Sequence, residues 1–180
     1  MKYRIGRSAL AVSILVLFTW LLPFGQSPAN AAAVGGTSFR VYDAKNRFVG
    51  HAVPAGDDAE LGSMVFRHSG RVFVLDMHRY KVKGEADLYY TSSDCTGAPL
   101  IDIEGDPANW LMDVVAVGPP GMTVYARDLQ AIPADVPVGS TFQEGEGPCV
   151  SLPSGSTKVT APAVPLIDLS TQFTPPFTGR

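Results

Sequence analysis

Turn-forming residues interrupt this chain at short intervals. After residue 31, Gly, Pro or Asn recurs about every 8–12 residues, and no window longer than about 10 residues keeps a helical periodicity without Gly or Pro inside it. Short apolar segments between such turns are typical of antiparallel strands. The spacing predicts an all-β fold, a single-domain β-sandwich or partly open β-barrel of short antiparallel strands.

The clearest hairpin pattern joins the segments SMVFRH and RVFVLDMHR. Between them lies Ser69-Gly70, a two-residue connection in which Gly supplies a positive φ. Because side chains alternate between faces along a strand, the connection also predicts the register. The predicted cross-strand pairs are Phe66 with Phe73 and Met64 with Leu75.

Eight further segments are candidate strands because β-branched and aromatic residues lie between turn signals. Asn46 suits a left-handed turn position, Pro120-Gly121 suits the centre of a type II turn, and the Pro-rich sequence from Pro153 onward predicts an extended C-terminal tail. The candidate strands are residues 39–43, 47–53, 86–92, 99–103, 110–117, 122–129, 140–144 and 149–153.

Residues 1–31 are predicted to be a secretory signal peptide. Basic residues precede an uncharged apolar run from Ala9 to Leu22, and Ala29-Asn30-Ala31 places small side chains where a signal peptidase accepts them. The run is about 14 residues, shorter than the roughly 20 that a membrane-spanning helix needs. We expect residues 32–180 to be exported, periplasmic or secreted, with no transmembrane segment; the alternative is an uncleaved membrane anchor.

Removing this segment makes the chain more acidic. The full sequence has 14 Lys+Arg and 17 Asp+Glu. Without Lys2, Arg4 and Arg7, 11 basic residues remain against 17 acidic ones, a net charge of −6. This balance excludes a basic nucleic-acid-binding protein. The length of residues 32–180 suits one domain with its own core.

Cys95 and Cys149 are the two cysteines of the chain. In an oxidising compartment such a pair is expected to form a disulfide, and neither cysteine has CxxC spacing or the neighbours of a zinc site. Closing a loop between residues 54 apart stabilises the fold by about 4 kcal/mol in the loop-entropy model. We predict a structural disulfide, with a catalytic thiol as the alternative.

An acidic segment offers a candidate calcium site. Asp102, Glu104 and Asp106 alternate, and Asp113 stands at position 12 counted from Asp102, which imitates the ligand spacing of a calcium loop. However, Pro107 occupies position 6, where that loop needs Gly. The alternative is a group of solvated acids with no bound metal. No cofactor is predicted, and only the calcium alternative expects EDTA to lower the melting temperature.

The histidines are predicted to be surface or edge-strand residues. His68 lies at the hairpin turn, and His78 lies roughly 20 Å away along the opposite strand at about 3.3 Å per residue. These two are too far apart to share an ion, and the sequence does not decide whether His51 lies near either of them. A transition-metal site needs two or three imidazoles to converge.

Four aromatic residues form a candidate binding platform: Tyr89, Tyr90, Trp110 and Tyr125. Tyr89 and Tyr90 are neighbours in a predicted strand and must point to opposite faces, so we expect one in the core and the other exposed. Exposed rings can stack on carbohydrates or peptides. The alternative is ordinary core packing.

The segment YYTSSDCTG resembles a recurrent strand–turn unit of uncharacterised exported bacterial β-proteins. It comprises Tyr89–Gly97, in which a strand ending in Tyr enters a Ser/Thr-Asp-Cys-Thr-Gly turn. The segment VYDAKNRFVG, the later second Cys and the ending DLSTQFTPPF are similar to the same group. The resemblance implies an exported β-domain with paired cysteines and implies no activity. Asp94 is expected to be a turn former rather than a catalytic acid.

Two functional hypotheses follow. The first is a non-enzymatic exported domain that binds a protein, a cell-wall component or a glycan, or has a structural role. The sequence contains no GxSxG, SxxK or HExxH motif and no phosphate-binding Gly-rich loop, which argues against an enzyme. The second hypothesis is nevertheless a secreted hydrolase with an unrecognised carboxylate pair, because 17 acids are available. A hydrolase should gather acids of raised pKa in one cleft, whereas a binding domain should expose an aromatic or apolar patch.

We expect protein recovered from the exported fraction to begin at Ala32, or at Val34 if cleavage follows the next small residues. Its mass should lie two hydrogens below that of the reduced chain, because the cysteines are oxidised. Denaturing mass spectrometry measures both quantities. A full-length, reduced chain would contradict the signal peptide and the disulfide together.

Overall fold

Short strands make up most of the computed structural model, which describes residues 38–54, 61–103, 112–143 and 149–180. A 3-10 helix at Leu169–Thr171 is the one helical element in these ranges. The strands, in chain order, are β1 (Phe39–Tyr42), β2 (Phe48–Val53), β3 (Ser63–His68), β4 (Arg71–Met77), β5 (Val82–Lys83), β6 (Leu88–Tyr90), β7 (Leu100–Asp102), β8 (Val115–Gly118), β9 (Thr123–Arg127), β10 (Ala134–Pro137), β11 (Ser140–Phe142), β12 (Val150–Ser151), β13 (Thr157–Asp168) and β14 (Thr178–Gly179).

The strands form two antiparallel sheets. The first has the order β14-β1-β2-β3-β4-β5 and curls into a half-barrel. The second has the order β12-β11-β6-β7-β13-β9-β8, and β10 also pairs with β13. The prediction of an all-β sandwich or partly open barrel is confirmed. In the described ranges, no helix is long and apolar enough to cross a membrane.

The β3–β4 hairpin has the register that its sequence predicts. Phe66 pairs with Phe73 and Met64 with Leu75, and the rings of the first pair stack with their centroids 6.0 Å apart. The turn residues Ser69-Gly70 have φ values of 49° and 78°, the two positive values that a tight primed turn requires. Asn46 likewise has a positive φ of 59° in the β1–β2 turn.

The β8–β9 hairpin is buried on both faces. Val115, Val117 and Val124 point into a core lined by the first sheet. Ala116 and Tyr125, which alternate with them, point into a second core formed with β6, β7 and β13. A strand covered on both sides needs apolar residues at every position, which accounts for the continuous apolar run that ends at Gly118.

Contacts at one end of β4 and beyond β5 join the first sheet to this hairpin. Arg71 binds Asp113 through two hydrogen bonds of 2.9 and 2.8 Å, and it also donates to the carbonyl of Arg127 at 3.2 Å. After β5, the N–H of Glu85 bonds the carbonyl of Val115 at 2.9 Å. A Cβ at Gly84 would collide with that carbonyl, so only glycine permits this approach.

The segment predicted to be an extended tail contains β13, which organises the second sheet. Its first half pairs with β10 and β7, and its second half pairs with β9. Pro165 lies where the register with β9 shifts, a position at which a missing N–H is tolerated. No strand is predicted from the sequence at β13, β5, β10 or β14. Pro residues or a length of only two residues make the strand pattern of these segments unrecognisable in the sequence.

After β13 the chain crosses back to the first sheet. Phe177 enters its core and is 1% exposed, and β14 then pairs with β1. The Ala44 N–H donates to the carbonyl of Thr174 at 2.8 Å, and the Phe177 N–H donates to the carbonyl of Arg79 at 2.6 Å. The C-terminal segment therefore closes the core of the sheet whose edge it forms.

Asp43 holds this segment against the β1–β2 turn. Its buried carboxylate accepts hydrogen bonds from the Arg47 guanidinium at 2.9 and 2.6 Å and from the Thr174 N–H at 3.1 Å. The N–H groups of Lys45 and Arg47 add bonds of 2.9 and 2.8 Å. Burial alone would raise the pKa of Asp43, but the hydrogen bonds from Arg47 and Thr174 outweigh it and lower the pKa to about 2.

Replacing Asp43 by Asn should lower the melting temperature most at neutral pH. The folded carboxyl has a pKa of about 2 against an ordinary value of 3.8, so its stabilisation is complete above about pH 4 and is lost as pH falls toward 2. The difference between wild type and Asp43→Asn should therefore narrow over that interval. Circular-dichroism melting from pH 2 to 7 measures it.

The matched control is Asp135→Asn, which changes an exposed acid on β10. This control should follow the wild-type curve across the whole pH range. A difference between Asp43→Asn and wild type that stays constant below pH 4 would contradict the assignment of the carboxylate as the ionised anchor.

Candidate functional site

The predicted disulfide lies between the β6–β7 loop and β12. The Sγ atoms of Cys95 and Cys149 are 2.08 Å apart, so the pair is at disulfide distance. Ser140 supports the loop from β11: its Oγ accepts from the Cys95 N–H at 2.8 Å and donates to the Ser92 carbonyl at 2.7 Å. The disulfide and these bonds together attach the loop to the edge of the second sheet.

Asp94 is a turn former in this loop. Its Oδ1 accepts from the Thr96 hydroxyl at 2.7 Å and from the Thr96 N–H at 3.3 Å. Cys95 between them has a φ of 55°, and Gly97 has a φ of 96°. Hydrogen bonds from Thr96 and Ser92 lower the pKa of Asp94. Its carboxylate therefore shapes the backbone turn that presents Cys95.

The three platform aromatics that the structure describes, Tyr89, Tyr90 and Tyr125, do not form an exposed surface. Tyr89 and Tyr90 are 8% and 4% exposed, so the expectation that one of them is exposed is wrong. Tyr90 and Tyr125 pack in the second core, while the opposite face at Tyr89 carries the Lys158 ammonium, 5.7 Å from the ring centroid. Burial raises the pKa of all three phenols. Trp110 lies outside the described residues.

The predicted calcium ligands are engaged elsewhere or lie outside the described ranges. Asp102 makes a 3.0 Å ion pair with Lys158, and Asp113 binds Arg71. Glu104 and Asp106 are not among the described residues. In the part of the chain that the structure describes, no three His, Cys, Asp or Glu side chains gather as a metal-binding group.

The three histidines occupy different surroundings. His68 ends β3 opposite Arg71, and the His78 N–H bonds the carbonyl of Lys81 at 3.0 Å just beyond β4. His51 lies on β2, with its side chain on the outer face of the first sheet. It belongs to a group of residues that the sequence analysis did not single out.

Three basic residues lie side by side across the edge of the first sheet. Arg40 pairs with His51 on β2. On its other side, the Arg40 N–H donates to the main-chain oxygen of Arg180 at 2.9 Å, and the Arg40 carbonyl accepts from the Arg180 N–H at 2.8 Å. Arg40 therefore lies directly opposite His51 on one side and opposite Arg180, the residue after β14, on the other. We call Arg180, Arg40 and His51 the basic row.

Two aromatic residues lie beside the basic row on the same face. Tyr42 pairs with Phe48 across β1 and β2, and their rings meet edge to face with centroids 5.8 Å apart. Phe48 is 49% exposed. We call Tyr42 and Phe48 the aromatic row, and the two rows together the basic–aromatic patch.

Ring contacts connect the two rows. The Arg180 guanidinium lies 5.0 Å from the centroid of the Tyr42 ring, within cation–π distance. The His51 and Phe48 rings meet edge to face at 5.3 Å. An open pocket of about 270 Å³ lies between Arg40, Tyr42, Phe48 and His51. The patch therefore surrounds a concave space with positive charge on one side and aromatic surface on the other.

No Asp or Glu side chain of the described structure forms an ion pair with a residue of the basic row. Such pairs are formed elsewhere, by Arg47 with Asp43, Arg71 with Asp113 and Lys158 with Asp102. Like charges directly opposite each other in a sheet destabilise it. The full chain carries a net charge of −3, so this local excess of basic side chains runs against the overall charge.

Part of the patch could have been recognised from the alternation of FRVY and FVGHAV. Arg40 and Tyr42 flank the buried Val41, and His51 precedes the buried Ala52, so a polar face is evident in each strand. Neither segment predicts that Arg180 lies beside Arg40, because that pairing depends on the return of the chain after β13.

No protein-family model, curated protein or solved structure matches this chain.

Replacing Arg40 by Gln should stabilise the fold, because it removes one of two guanidinium charges that lie on directly opposed residues, Arg40 and Arg180. We expect a gain of about 0.2–1 kcal/mol in the free energy of unfolding at low salt. The gain should shrink in 1 M NaCl, where the Debye length is about 3 Å. Urea denaturation at the two salt concentrations measures the effect.

Arg67→Gln is the matched control, since Arg67 is exposed on β3 and outside the patch. It removes the same charge from a net-negative chain and should give no gain. Equal, salt-independent changes in the two variants would show that the basic row carries no electrostatic strain.

Proposed function

We propose that this chain is an exported β-domain that acts by binding rather than by catalysis. Its ligand would carry a negative charge next to an apolar, ring-shaped surface and would bind at the basic–aromatic patch. The observation that carries this proposal is the basic row, in which Arg40 lies between Arg180 and His51 and forms no ion pair with an Asp or Glu side chain of the described structure.

The side chains of the patch suit such a ligand. Guanidinium groups present forked donors that match a carboxylate with two parallel hydrogen bonds. The exposed Phe48 ring and the neighbouring Tyr42 ring offer a surface for stacking. A bound anion would also relieve the repulsion within the basic row. Binding energy and folding energy are thus opposed at Arg40, as is common at functional sites.

The hydrolase alternative finds less support in the described acids. A catalytic general acid needs a raised pKa. Hydrogen bonds from Arg47 overcome burial and lower the pKa of Asp43, and hydrogen bonds from Ser170 lower the pKa of Asp168. Hydrogen bonds from Thr96 and Ser92 likewise lower the pKa of Asp94. These three carboxyl groups stay ionised and hold turns, whereas a general acid must carry a proton.

Export and membership of the exported β-protein group are part of the same proposal. The disulfide pair is compatible with an oxidising compartment. The structure of the Tyr89–Gly97 segment supports the group assignment. Its buried strand β6 leads into a turn that Asp94 stabilises, and the disulfide attaches this turn to the residue before β12.

Benzoate tests the patch, because it combines a carboxylate with a ring. We expect benzoate to shift the amide resonances of β1 and β2 in an NMR titration, while the uncharged benzamide binds at least tenfold more weakly. Arg40→Gln should weaken benzoate binding about tenfold or more, the loss of a charged hydrogen bond worth about 1.5–3 kcal/mol.

The controls are Arg67→Gln for charge and Tyr80→Ala for an exposed ring outside the patch, since Tyr80 is 67% exposed. Both should bind benzoate as wild type does. Absence of benzoate binding, or binding that Arg40→Gln leaves unchanged, would remove the basis of the proposed function.

A further inference from the structure

We infer that the ligand of the basic–aromatic patch is an acidic polysaccharide, a chain of pyranose rings that each carry a carboxylate. This inference rests on the proposed function and specifies its ligand class. It joins three observations: the two adjacent rows, the size of the pocket and the position of the patch on a sheet face.

The spacing of the two rows fits one sugar ring with its carboxylate. Arg40 and Tyr42 are two residues apart on β1 and point to the same side, so their Cα atoms lie about 7 Å apart. A pyranose ring over the aromatic row presents its C–H face to the rings. Its carboxylate, at the edge of the sugar, then points toward the forked donors of the basic row.

The pocket is small and open. Its volume of about 270 Å³ lies just below the roughly 300–1,000 Å³ of sites that enclose a drug-sized molecule. It therefore suits one ring of a polymer, with the neighbouring rings continuing over the surface. An enclosed metabolite would need walls that the exposed Arg40, Phe48 and His51 do not provide.

An extended peptide fits this location less well. Peptides that bind sheets usually add a strand to a free edge, where unpaired N–H and C=O groups provide the affinity. Here β1 is paired on both sides, with β14 and β2, and β2 is paired with β1 and β3. The edge strand β14 has only two residues, which offers a peptide few backbone partners. The patch offers side chains from the face of the sheet, which favours a ligand recognised by ring stacking and carboxylate contacts.

A densely charged phosphate polymer also fits less well. Binding to a phosphate backbone draws its affinity from many Lys and Arg contacts at once. The basic row contains two Arg and one His, and the whole chain is net negative at −3. An acidic polysaccharide has one charge per ring, so a small basic cluster can bind one carboxylate while the rest of the polymer stays clear of the acidic surface.

The decisive experiment compares two uronic acid oligomers with their uncharged methyl esters. Tetragalacturonate and tetramannuronate are titrated into the purified protein by calorimetry, beside their fully methyl-esterified forms. We expect at least one acid to bind and its ester to bind at least tenfold more weakly. Arg40→Gln should weaken binding about tenfold or more, and Phe48→Ala about three- to tenfold.

Arg67→Gln and Tyr80→Ala serve as the matched controls and should bind the oligomer as wild type does. Hexaglutamate and phosphatidylglycerol vesicles are titrated in parallel. Failure of both uronates, or an Arg40-dependent preference for the peptide or the vesicles, would overturn the acidic-polysaccharide assignment.

The benzoate titration distinguishes a failure of the proposed ligand class from a failure of the proposed binding function. If benzoate binds at the patch and both uronates fail, the ligand class is wrong while the binding function stands. If benzoate fails to bind, or binds independently of Arg40, the proposed function and the ligand class fall together.

Discussion

Burial of the β8–β9 hairpin on both faces is the packing constraint on which the rest of the structure depends. Val115 and Val117 fill the core of the first sheet, and Ala116 between them fills the core of the second. One hairpin therefore serves two hydrophobic cores, so each sheet is positioned by its contact with the same strands. The Arg71–Asp113 ion pair and the approach at Gly84 hold the first sheet against it.

The basic–aromatic patch depends on how the chain completes the first sheet. Burial of Phe177 and the hydrogen bonds of Asp43 hold the C-terminal segment against β1. The same segment brings Arg180 opposite Arg40 and onto the Tyr42 ring. The C-terminal segment therefore closes the core with Phe177 and completes the candidate site with Arg180. A substitution that loosens Phe177 would be expected to weaken the patch without touching any of its residues.

Charge is distributed unevenly over this protein. The described ion pairs place Arg47, Arg71 and Lys158 against carboxylates, where each connects separate parts of the fold or closes a turn. Arg40 and Arg180 form no ion pair with a described Asp or Glu side chain, and their like charges oppose the pairing of the segments that carry them. This electrostatic cost is the physical basis on which an anionic ligand is proposed.

Local sequence patterns determined the all-β class, the β3–β4 register and the disulfide pair. The all-β class and the register follow from turns and side-chain alternation, which are local patterns. The disulfide pair follows by elimination, because the chain has only two cysteines. Tertiary structure alone decided that Tyr89 and Tyr90 are both buried and that Arg180 lies beside Arg40. The Arg180–Arg40 contact joins residues far apart in the chain, and the burial of Tyr89 depends on what covers each face of its sheet. No local periodicity records either property, because both arise only when distant strands become neighbours.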